Sequence, residues 1–181
     1  MDIDNSFFYI LNKPTLTSFS FTDEDSNIIN EIKILEETES FDLYINAIFT
    51  GISSEYLNYN ELNESRYINF CVYETNKSGK GYRVIRFFFI HLDSSLMEEN
   101  SIKVVNKILT IDSNFKPLQG EFHGEKFDTV YNFNQTYLSL KIFYSTKEII
   151  DIGDLDRVFY QVNNVVLDTK LPIKTVMKND R

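Results

Sequence analysis

Cysteine occurs once in this chain, at Cys71, which excludes an internal disulfide framework. With only two histidines beside it, a zinc site closed by Cys and His alone cannot be built. Tryptophan is missing altogether, and three prolines and six glycines are too few for a flexible linker or a low-complexity tract. No internal repeat is visible either, so residues 1–181 read as a single β-rich domain. No apolar run approaches the roughly 20 residues of a helical membrane span. The opening segment MDIDNSFFYILNKP carries acid where an export signal carries base, so a cytoplasmic protein is expected. Basic runs are also lacking. At a net charge of −9 and a pI near 4.7 the chain repels a phosphate backbone, which argues against nucleic-acid binding.

Catalytic motifs are as scarce. Ser78–Arg83, SGKGYR, contains Gly-x-Gly but leads into a strand and lacks the third glycine of a dinucleotide fingerprint. His91, Asp93 and Ser94 stand almost side by side, and neighbours on an extended chain point apart, so they do not form a triad. The acidic DIGDLD, Asp151–Asp156, lacks the ligand order of a calcium loop and reads as a solvated turn. No cofactor and no metal are implied.

What the chain has is aromatic and β-branched residues, with 16 Phe and 11 Tyr, in segments that alternate with period two. The alternation predicts strands at Thr15–Phe21, Ile29–Leu35, Phe41–Thr50, Arg66–Thr75, Tyr82–Leu92 and Lys103–Ile111. It continues at Lys116–His123, Lys126–Phe133, Thr136–Tyr144, Leu155–Val162 and Val165–Thr169. Short helical turns are expected at Ser94–Asn100 and Ser6–Leu11. Stretches such as VIRFFFI are apolar on both faces and need cover on both sides. The expected fold is mainly β, a curved antiparallel sheet or calycin-like β-barrel with one or two short helices.

His123 lies among Glu121, Glu125 and Asp128, which raises the question of a metal or acid–base site. A two-residue loop at Gly124-Glu125 would set His123 opposite Lys126, Phe122 opposite Phe127 and Glu121 opposite Asp128. Apolar and charged side chains then sort to opposite faces, so the cluster reads as the outside of a sheet.

The hairpin Arg66–Leu92 is more informative. Its turn predicts an ion pair between Glu74 and Arg83, followed inward by Val72/Ile85, Phe70/Phe87 and Ile68/Phe89. The opposite face would pair Tyr73 with Val84, Cys71 with Arg86, Asn69 with Phe88 and Tyr67 with Ile90. An arginine mid-strand among tyrosines needs acceptors, because an unpaired buried charge is costly. Arg86, Tyr67, Asn69, Cys71, Tyr73 and Phe88 are therefore the candidate binding residues, with Arg86 orienting a small apolar or amphipathic ligand. Such a binding barrel would also suit a cofactor-independent isomerase or cyclase. The competing expectation is an acidic inhibitor that docks onto a basic protein, such as a bacterial toxin-neutralising immunity protein.

Overall fold

A computed structural model describes residues 14–34, 40–51, 67–75, 81–92, 101–111, 119–122, 125–128, 137–161 and 164–175; for 119–122, 125–128 and 175 only the backbone is described. The strands are β1 (Thr15–Thr22), β2 (Ile32–Ile34), β3 (Phe41–Thr50), β4 (Tyr67–Thr75), β5 (Tyr82–His91) and β6 (Ser101–Ile111). They continue with β7 (Gln119–Phe122), β8 (Glu125–Asp128), β9 (Tyr137–Ser145) and β10 (Val165–Thr175), with one described helix, α1 (Ile152–Phe159), before β10. The fold is mainly β and curved, as its alternation predicts. β1, β3 and β6 form an antiparallel three-stranded sheet, and the rest form a larger sheet in the order β2-β10-β9-β4-β5-β7-β8 that curls into a half-barrel.

The period-two pattern explains which face of β3 is inside. Leu43, Ile45, Ala47 and Phe49 are buried while the residues between them are half-buried. They meet Ile68, Phe70 and Val72 of β4 and Leu138, Leu140 and Ile142 of β9 in one continuous apolar layer between the sheets. Phe49 touches Phe70 edge-on across that layer, ring centres 6.2 Å apart. β4 and β9 are buried on both faces, because their far side is covered by α1. There Cys71, Tyr73, Val84, Phe87 and Phe143 pack against Leu155 and Phe159 of the helix. Both kinds of cover required by the apolar strands are thus present, a second sheet on one side and a helix on the other.

Several expectations need correction. Leu155–Val162 is not a strand: α1 occupies Ile152–Phe159. Asp151 caps it by accepting from the backbone N–H of Asp154 at 2.8 Å, and Leu155 and Phe159, one turn apart, are the residues it buries. Ile29–Leu35 shrinks to the three residues of β2, and the last strand runs on past Thr169 to Thr175. Two pairings are parallel, β2 with β10 and β5 with β7, in a sheet expected to be wholly antiparallel. Pro172 is tolerated in β10 because it stands where the ladder to β9 ends and the ladder to β2 begins. The turns expected at Ser6–Leu11 and Ser94–Asn100 lie outside the described residues.

The two hairpin registers also differ from expectation. In β7–β8 position 122 pairs with 125 and 121 with 126, so the turn falls one residue earlier than Gly124-Glu125. His123 itself lies outside the described residues. In β4–β5 Thr75 pairs with Tyr82, and the pairs Glu74/Arg83 and Tyr73/Val84 hold as expected, but a β-bulge follows. Ile85 and Arg86 together oppose Val72, and beyond them Cys71 pairs with Phe87, Phe70 with Phe88, Asn69 with Phe89 and Ile68 with Ile90.

Candidate functional site

The bulge divides the six residues expected to form one binding face. Cross-strand partners share a face, and a slip of one residue exchanges the faces. Tyr67, Asn69, Cys71 and Tyr73 lie on the helix side of the sheet. Arg86, opposite Val72, and Phe88, stacked on Phe70 with ring centres 4.6 Å apart, lie on the side of the inter-sheet core. The sheet itself separates the guanidinium from the tyrosines it was expected to join.

On the helix side each of the four has a structural role. The Asn69 side-chain amide donates to the Phe143 carbonyl at 3.2 Å and to the Ser145 hydroxyl at 2.8 Å, bracing β4 against β9. Tyr67 lies between Phe89, edge-on, and His91, stacked at 4.9 Å. Cys71 is fully buried, and burial pushes its thiol far up, against the smaller opposite pull of Lys141. A thiol held protonated is a poor nucleophile. Tyr73 donates its hydroxyl to Asp168 at 2.9 Å, and burial first, then Asp168, raises its pKa well above the ordinary tyrosine value.

Sequence reasoning overlooked the group around which this side is organised. Lys141, paired with Cys71 across β4–β9 and with Asp168 across β9–β10, is almost wholly buried. Its ammonium donates to the Phe159 carbonyl at 3.0 Å, stands 3.5 Å from the Asp168 carboxylate and lies 4.0 Å from the centre of the Phe159 ring. Tyr82 stacks on the same ring at 3.7 Å, and its hydroxyl donates to Asp156 on α1. The signal was present in YLSLKIFYS, where a lone lysine interrupts an otherwise uncharged strand.

Two surface features flank α1. Along one flank Ile152, Asp156 and Tyr160, four residues apart, form a ridge. Ile152 is 41% and Tyr160 61% exposed, and Ile150, just before the helix, is 65% exposed. Tyr160 stands edge-on to both Phe159 and Tyr82, so it is an aromatic group on a rigid aromatic base. Along the other flank, between α1 and the segment that follows β9, runs a cleft of about 240 Å³ lined in part by Ser145, Ile149, Asp154, Arg157 and Val158.

No described helix is long and apolar enough to cross a membrane. Among the described residues no three His, Cys, Asp or Glu side chains are grouped as metal ligands would be. No protein-family model matches this chain, and no curated protein sequence does.

Proposed function

We propose that this chain is an acidic protein-binding module, an inhibitor in the manner of a toxin-neutralising immunity protein, that docks onto a basic protein through the α1 ridge. The observation that carries this reading is Tyr160. It is a large exposed aromatic held by Phe159 and Tyr82, beside a carboxylate, on a chain with a net charge of −9. Tyrosine and its aliphatic neighbours supply contact area at little entropic cost, which is why such groups dominate binding energy at interfaces. Asp156 within the ridge and Asp151 at the start of α1 supply negative charge that steers a cationic partner to it. The rival reading, an apolar ligand inside the sheet beside Arg86, has less support: Ile45, Phe49, Phe70 and Ile142 fill the space between the sheets.

The test is affinity capture from the native lysate at low and high salt, followed by titration of each recovered protein against purified wild type and Tyr160→Ala. A basic partner whose affinity falls at least about 30-fold on Tyr160→Ala, with the melting temperature unchanged, supports the reading. Recovery of no basic partner, or equal affinity for the variant, removes it.

A further inference from the structure

The cleft on the other flank of α1 has a chemistry unlike the ridge. Its floor is apolar, from the buried Ile149 and the half-buried Val158, both packed on the helix side of the sheet. Its rim carries two cations, Lys147 and Arg157, and two carboxylates, Glu148 and Asp154. Equal numbers of both signs set it apart from the strongly acidic chain around it, and a site meant only to attract cations would not include the two bases. The framework is built rather than incidental. The buried Asn69 amide donates to the Ser145 hydroxyl, which donates in turn to the Lys147 carbonyl at 2.8 Å, tying the rim backbone to the sheet. Arg157 is oriented by one hydrogen bond to Asp154, at 3.1 Å, and a guanidinium has five N–H donors to offer. The volume, about 240 Å³, lies below the roughly 300–1,000 Å³ of pockets for drug-sized ligands.

We propose that this cleft binds a small amphipathic zwitterion, a free α-amino acid with an apolar side chain. The carboxylate is taken by Arg157 and Lys147, the ammonium by Glu148 and Asp154, and the side chain lies on Ile149 and Val158. Both charges are required, because the rim presents both signs within one small opening.

The test is titration of the ¹⁵N-labelled full chain with leucine, phenylalanine, glutamate and lysine, followed by amide shifts. Leucine or phenylalanine should give saturable shifts at residues 144–149 and 154–161, with glutamate and lysine weaker. N-acetyl-leucine, without the ammonium, and leucinamide, without the carboxylate, should each bind at least about tenfold more weakly, as loss of a charge-assisted hydrogen bond implies. Arg157→Gln, at a solvent-facing position, should weaken leucine to a similar degree while leaving shifts remote from the cleft in place. Tyr160→Ala should leave leucine binding intact, which separates this site from the docking ridge. No saturable response to any amino acid would overturn the proposal. So would equal binding of leucine and its two singly charged analogues, or wild-type affinity in Arg157→Gln.

Discussion

The ammonium of Lys141 touches Phe159 twice: it donates to the carbonyl at 3.0 Å and lies 4.0 Å from the ring centre. A single side chain of β9 thereby holds both the backbone end and the aromatic anchor of α1. A cation is also favoured there by the partial negative charge at a helix C-terminus. Lys141→Met keeps most of the aliphatic stem but removes both contacts, and is expected to cost about 1.5–3 kcal/mol in urea denaturation. Amide exchange in α1 should quicken more than exchange in β4. Uniform loss of protection throughout the sheet, with α1 no more affected than the rest, would contradict this assignment.

Glu74 and Arg83 form the buried ion pair that the hairpin turn predicts, with Glu74 fully buried. Removing the cation alone leaves a carboxylate in the core, so Arg83→Met should destabilise by about 3 kcal/mol. Replacing both, Glu74→Leu with Arg83→Met, should recover at least half of that loss, since apolar residues of similar size need no compensation. A double variant as unstable as Arg83→Met would show that the pair's value lies in something other than mutual charge neutralisation. Chemical denaturation of the three proteins decides.

Burial raises the pKa of Glu74 above its ordinary 4.5, and Arg83 pulls the other way with a smaller effect. The folded protein therefore holds this proton more tightly than the unfolded chain does. The stability from that proton is fully present below the unfolded value and is lost as pH rises through the folded one. The difference in unfolding free energy between wild type and Glu74→Gln should accordingly be most favourable to wild type below about pH 4.5 and shrink as pH rises towards neutrality. A difference that stays flat across that range, or grows with pH, would mean the sign is wrong.

Cys71 is shielded on both sides, by the inter-sheet layer and by α1, and burial keeps its thiol protonated. A disulfide reagent such as DTNB should react in the native protein only at the rate of opening, and fast in denaturant. Reaction at the rate of an exposed thiol would require that α1 does not cover β4. Cys71→Ser should cost about 1–3 kcal/mol, since it places a hydroxyl in an apolar site.

Much of the strand pattern was readable because one face of each such strand meets water. β3 begins and ends where its alternation does, at Phe41 and Thr50, and the inward set Leu43, Ile45, Ala47 and Phe49 follows from period two alone. The turn between β4 and β5 brought Glu74 and Arg83 together through local chemistry. Legibility failed in VIRFFFI for a definite reason. Both faces of β5 are apolar, so the registers with and without a bulge bury similar side chains, and the pattern cannot choose between them. Without the bulge Arg86 would stand beside Cys71, next but one to the cation of Lys141; with it, Phe87 takes that place. The helix was missed for a related reason. Eight residues give only two buried positions, Leu155 and Phe159, too few for a 3.6-residue period to outweigh alternation, although the Asp151 cap was there to be read.

The amino-acid order by itself determined that this would be curved sheet, where most strands start and stop, and which ion pair closes the central hairpin. Those are consequences of neighbours along the chain and of a pleat that alternates in and out. Only the tertiary structure decided the face on which Arg86 lies, the anchoring of Phe159 by Lys141, and the exposure of Tyr160. Each of these depends on two segments far apart in the chain meeting in a packed layer, where side-chain volume and charge compensation select among arrangements that the local pattern leaves equal.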